Sequence, residues 1–237
     1  MNIFDWKKKR LDLLAGPLII CAIFLTSLIS SSVIVPVVGQ VFGVCCDVLL
    51  MVFASIFSSF ITVLILSLMK YVNWHSAFSW SSQTYVESLC IIVVSFLLLV
   101  AMNALSELLD LPDNNAQRVM SMVYSPLGII TLVFVGPVVE ELVFREAMIG
   151  YVLRKGGKAW WAVLISAVIF GLVHANPAQV PFAVIAGLLF GWIYCKYHSI
   201  VLTSILHILN NGMAVFLILL YGEDASIVSF FEKIFGE

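Results

Sequence analysis

Residues 128–153 read GIITLVFVGPVVEELVFREAMIGYVL. A membrane-spanning helix needs about 20 mostly apolar residues, so this run is long enough to cross a bilayer. Glu140 and Glu141 interrupt it near its middle. Two further runs each carry a histidine. AWWAVLISAVIFGLVH (159–174) ends on His174, and SIVLTSILHILNNGMAVFLILLY (199–221) encloses His207. An ionisable side chain at membrane depth costs about 2.5–3.5 kcal/mol on insertion scales, so such groups face a bundle interior or an aqueous cavity and mark function. Two carboxylates, two imidazoles and nearby amides suggest a proton-transfer site inside a membrane.

Composition agrees with that setting. The chain has 237 residues, 62% hydrophobic and 11% charged, with a mean hydropathy of +1.10. A soluble domain carries about 25% charged residues. The net charge of −2 gives no reason to expect a nucleic-acid partner. The five cysteines (Cys21, Cys45, Cys46, Cys90, Cys195) lie in or beside apolar runs, are odd in number and show no C-x-x-C spacing. They read as packing residues rather than as a disulfide framework or a zinc site.

The expected fold is an all-α polytopic membrane bundle of about seven spans, with an eighth element possible from the tail. The expected spans cover about 13–38, 43–70, 85–106, 126–153, 159–175, 180–196 and 199–221. The first follows Trp6 and the basic cluster Lys7–Arg10, is too long for a cleaved signal region, and reads as an uncleaved helix. The segments 71–84 and 107–125 read as polar connections. The tail 225–237 has aromatic residues on one side, which suits the membrane interface. Residues 1–237 are expected to form one membrane domain, with 1–125 as N-terminal helices and 126–221 as the core carrying the chemistry.

Placing the N-terminus in the cytoplasm puts Lys7, Lys8, Lys9, Arg10, Lys70, Arg154, Lys155, Lys158 and Lys196 inside. Only Arg118 and Lys233 then lie outside, beside Glu107, Asp110, Asp113, Glu223 and Asp224. That is the asymmetry of the positive-inside rule. With no organelle signal, a bacterial plasma membrane is the expected location. The stripe Ala183-x-x-x-Gly187-x-x-x-Gly191 should let another helix backbone approach closely. Pro137, inside its span, either bends the helix just before the glutamates or is an ordinary membrane proline.

Residues four apart share a helix face, so Glu141 and Arg145 should pair, while Glu140 diverges by about 100°. Glu140 is then left to face a cavity as a candidate general base. Phe170 and His174 share a face, as do His207 and Asn211. A His and an Asn on one face can donate to a developing oxyanion, although either alone could be an interhelical clamp.

The ordered set Glu140-Glu141-x-x-x-Arg145, Phe170-x-x-x-His174 and His207-x-x-x-Asn211 resembles the three motifs of the CAAX-protease and bacteriocin-processing (Abi) family, which includes the type II CAAX prenyl endopeptidases. The resemblance covers about 126–221. It implies an intramembrane glutamic-type endopeptidase with no cofactor and no metal. In that reading Glu140 and His174 activate a water, His207 and Asn211 stabilise the oxyanion, and Glu141 and Arg145 support them. The implied substrate is a peptide or protein with an apolar or membrane-associated segment: a CAAX-like, bacteriocin or signalling peptide.

Other classes remain in view. Glu140, His174 and His207 could instead bind zinc, although no H-E-x-x-H occurs. A non-proteolytic scaffold or regulator of a sensor kinase or cell-wall enzyme would use the same helices without chemistry. A proton-coupled transporter would fit buried glutamates, but no internal repeat supports it.

Overall fold

Small polar residues set where several helices begin. Thr84 accepts a hydrogen bond from the Glu87 N–H at 3.2 Å, and Ser125 accepts one from Gly128 N–H at 3.4 Å, with Pro126 in the first helical position. Both satisfy donors that the first turn of a helix leaves unpaired. The protein's structure is a computed structural model that describes residues 16–22, 24–25, 37, 47–79, 84–222 and 225–235.

The described chain is helical, with no strand among the described residues. The helices are α1 (Asp47–Leu68), α2 (Trp74–Ala77), α3 (Tyr85–Glu107), α4 (Ala116–Val123), α5 (Pro126–Arg154), α6 (Ala159–Val173), α7 (Val180–Tyr197), α8 (Val201–Tyr221) and α9 (Ile227–Phe235). Five of them, α1, α3, α5, α7 and α8, are long and apolar enough to cross a membrane, while α6 has 15 residues. The fold is therefore a helical membrane bundle. The expected span at 13–38 lies largely outside the described residues, which are helical there at 16–22 and 24–25.

Two connections hold more structure than their polarity suggested, and the tail forms a helix as well. In 107–125, Val119, Met122 and Val123 recur at helical spacing and build the short amphipathic α4. In 71–84, the Asn73 side chain caps one turn, α2. The tail forms α9, whose first N–H groups, on Ile227 and Val228, donate to the two Glu107 carboxylate oxygens at 3.0 and 3.1 Å.

Helix α5 is the hub. Every residue from Glu141 to Gly150 is buried, so this stretch is surrounded on all sides. Its main core includes Phe144, Met148 and Ile149 with Ile20, Leu66 and Phe170, drawing residues from both halves of the chain. The stripe on α7 does what its spacing suggests. A Cβ on Gly187 would lie 2.9 Å from Ala167 Cα, and one on Gly191 would lie 2.9 Å from Val163 Cγ1. Glycine there lets α6 and α7 approach at backbone distance.

Candidate active site

Helix α5 departs from ordinary helix geometry twice, over Thr131–Val135 and Leu142–Gly150, where the turn widens to the π form. Wide turns of this kind are common at functional sites. Pro137 accounts for part of the first. Gly136 N–H donates five residues back, to Thr131 O. In the same register Leu132 O would accept from residue 137, but proline has no N–H. Asn211 of α8 fills the gap, its Nδ2 donating to Leu132 O at 3.0 Å. In a bilayer no water replaces a missing donor, so the asparagine meets a need that the proline creates.

The second wide turn follows the two glutamates. Glu141 is fully buried and pairs at two points with Arg145: Nε to Oε2 at 3.0 Å and Nη2 to Oε1 at 3.3 Å. Arg145 is also fully buried. Its Nη1 reaches Ser166 Oγ at 3.5 Å, and that hydroxyl donates to Phe144 O at 2.9 Å. The guanidinium lies 4.8 Å from the Phe170 ring centroid and 5.5 Å from that of Phe190. These contacts compensate much of what desolvating a cation costs.

His207 stands between the two glutamates. Its Nδ1 is 3.1 Å from Glu141 Oε1, and its Nε2 is 3.6 Å from Glu140 Oε2. Glu141 is ionised beside Arg145, so Nδ1 carries the proton and donates. Nε2 then points toward Glu140, whose side chain is 26% exposed where Glu141 is at 0%. Thr203, buried one turn before His207, donates its hydroxyl to Ile200 O at 3.1 Å.

His174 follows the last turn of α6. Its Nδ1 donates to Phe170 O at 2.7 Å, which leaves Nε2 as a free acceptor. The Phe170 ring lies 4.9 Å from the His174 ring and 5.8 Å from the His207 ring. Among the described residues no direct hydrogen bond or ion pair joins Glu140 to His174.

The structure thus draws Glu140, Glu141, Arg145 and His207 into one ionic cluster, sets His174 against it across Phe170, and commits one Asn211 N–H to a backbone carbonyl. One amide N–H of Asn211 remains. Among the described residues no group of three or more His, Cys, Asp or Glu side chains converges as metal ligands would.

Several polar residues contribute without having been singled out in the sequence. Ser166 lies four residues before Phe170 and Thr203 four before His207, so both share a face with a motif residue, which was the available signal. Glu146 belongs to a second buried cluster. Its Oε1 accepts from Arg154 Nη1 at 2.6 Å and Asn73 N–H at 3.1 Å, and its Oε2 accepts from the Tyr194 hydroxyl at 2.6 Å. Arg154 also donates to Tyr71 O. This cluster ties α5, α7 and the 70–79 connection together at the basic end of the bundle.

Comparison with known proteins places this geometry. Residues 122–213 are similar to the Rce1-like family of type II CAAX prenyl endopeptidases. That region holds all three helices that carry the cluster. One relative is YdiL of Bacillus subtilis (strain 168), whose name carries an inferred membrane-peptidase activity. It is 32% identical over 104 residues, 44% of this chain and 42% of that protein. Another is MroQ of Staphylococcus aureus (strain USA300), named a membrane-embedded CAAX protease, 29% identical over 103 residues, 41% of this chain and 42% of that one. The matched stretch thus spans about two fifths of each relative. No solved structure matches the chain.

Proposed function

We propose that the protein is an intramembrane endopeptidase that hydrolyses a peptide bond with a water activated by Glu140 and His174. The supporting observation is the difference between the two glutamates. Glu141 is engaged by Arg145 and His207, whereas Glu140 is partly exposed and holds no cation at hydrogen-bond distance. A carboxylate so placed can accept a proton. The water oxygen attacks the scissile carbonyl carbon while its proton passes to Glu140, with His174 Nε2 as the second acceptor. The carbonyl oxygen becomes an oxyanion. His207 Nε2–H, present when the ring is an imidazolium on Glu141, and the remaining Asn211 N–H stabilise it. Collapse breaks the C–N bond, and the held proton goes to the leaving amine.

The substrate in this reading is a peptide or protein with an apolar or membrane-associated segment, met within a lipid bilayer. CAAX-like, bacteriocin and signalling peptides all fit that description. The chain acts as one membrane domain with 126–221 as its catalytic core, in a bacterial plasma membrane with the N-terminus cytoplasmic. The bacterial relatives and the distribution of basic residues support this placement.

The test is cleavage of a peptide library by purified protein, wild type beside Glu140→Gln. Glutamine keeps the volume and one acceptor oxygen but does not take up a proton at neutral pH. The variant should fold and bind peptide yet cleave almost nothing. Wild-type cleavage or full cellular effect by Glu140→Gln at normal abundance would favour a non-proteolytic scaffold.

A further inference from the structure

His174 stands at the end of α6, where no further turn holds it. The next residue, Ala175, takes the left-handed conformation at φ 50°. A residue with a Cβ stays there only when its surroundings impose it. Asn176 follows and is fully buried. Its Nδ2 donates to Asp113 Oδ1 at 2.9 Å, and its Oδ1 accepts from Asn114 N–H at 3.1 Å. Its backbone carbonyl accepts from Gln179 and Val180 N–H at 2.9 and 3.1 Å, which opens α7.

The partner segment is itself ordered. Asp113 Oδ1 also accepts from Asn115 N–H at 2.8 Å, and Pro112 O accepts from Ala178 N–H at 3.3 Å. The Asn115 amide reaches the His174 carbonyl at 3.5 Å, a long contact that adds little by itself. A turn between α6 and α7 could close on its own atoms. This one is instead bonded to residues 112–115, which precede the region shared with the family.

We propose that Asn176, acting with Asp113, is a positioning residue for His174. Their hydrogen bonds hold the strained turn after α6 and so fix where the imidazole Nε2 meets the reacting water. The inference rests on the endopeptidase reading given above. It makes the 112–115 connection part of the catalytic apparatus.

The experiment measures kcat and KM per folded molecule, using an internally quenched peptide chosen because the wild type cleaves it. Asn176→Asp sets two carboxylates against each other, whereas Asn176→Asp with Asp113→Asn exchanges donor and acceptor across the 2.9 Å contact and keeps the Asn114 N–H bond, losing only the Asn115 N–H bond that the same Asp113 oxygen accepts within its own turn. The single variant should lose about 10-fold or more in kcat with KM held within about twofold, because displacement of a catalytic group costs rate before binding. The exchanged pair should return to within about threefold of wild type. Asn176→Ala should behave as the single variant; if it does not fold, the exchanged pair still decides. A single variant with unchanged kcat, a loss shared equally by KM, or a pair no faster than the single variant would overturn the inference. Wild-type protein that cleaves nothing, or Glu140→Gln that cleaves normally, would instead overturn the endopeptidase reading and this inference with it.

Discussion

Asn211 donates to Leu132 O and is also proposed to serve the oxyanion, and a second substitution separates the two roles. In Asn211→Ala, Leu132 O loses the side-chain donor now 3.0 Å away. A polar backbone group left without a partner costs about 1–3 kcal/mol, and lipid offers no substitute. For a chain of this size each kcal/mol shifts the melting temperature by about 2–4 °C, so a mid-range loss of about 2 kcal/mol lowers it by about 4–8 °C. If the remaining amide N–H serves the oxyanion, turnover also falls by about 10²–10³. Pro137→Ala restores a donor to Leu132 O in either register: from residue 136 if the helix tightens, or from residue 137 if it stays wide. In that background Asn211→Ala should cost almost no stability but should still lose its turnover. Thermal unfolding in detergent and peptide cleavage, measured on the four proteins of this cycle, give both answers. An equal stability loss in both backgrounds would refute the account of the orphaned carbonyl. Recovery of turnover along with stability would reduce Asn211 to a clamp.

Glu141→Gln removes the charge that pairs the fully buried Arg145, so it should lose about 3 kcal/mol or more, and combining it with Arg145→Met should recover most of that loss; chemical unfolding of the single and double variants checks this. Tyr194→Phe deletes the 2.6 Å bond to Glu146 Oε2, which lies outside the cluster of Glu140, Glu141, Arg145 and His207. It should lower the melting temperature by about 3–12 °C, the effect of a hydrogen bond to a charged group, and leave kcat unchanged. Chelation of the purified enzyme should leave cleavage intact; loss on chelation with recovery on added zinc would favour the zinc alternative.

Run length and apolar composition were enough to locate α3, α5, α7 and α8 within a few residues, because a span must be long and apolar to exist at all. Helix α4 was missed because eight residues carry little periodic signal and its polar neighbours read as a loop. In the site, the Glu141–Arg145 pair was legible because four-residue spacing fixes proximity along one helix. The partner of Asn211 was not legible. It depends on a widened turn in another helix, and no local pattern announces that register. The cluster of Glu146, Arg154, Tyr194 and Asn73 draws on three separate segments, with Tyr194 48 and Asn73 73 positions from Glu146, so it exists only once α5, α7 and the 70–79 connection have met.

The proposal that Glu140 rather than Glu141 takes the proton is supported by charge accounting across the three helices. Glu141 and Arg145 cancel inside the bundle, and Glu141 Oε1 also receives His207 Nδ1. Protonating Glu141 would strand the guanidinium between Phe170 and Phe190 with only Ser166 in reach, so a general base at that position would have to break its own support. Glu140 has no such obligation. The basic group facing it, His207 Nε2, is 3.6 Å away, beyond hydrogen-bond length, and the Glu140 side chain is partly open. An imidazolium on His207 leaves Glu140, Glu141, Arg145 and His207 neutral in sum, and transferring a proton to Glu140 as an oxyanion forms beside His207 keeps that sum unchanged. The low dielectric that makes a stray charge costly therefore favours the step in which negative charge moves from Glu140 to the substrate oxygen while both cations stay in place.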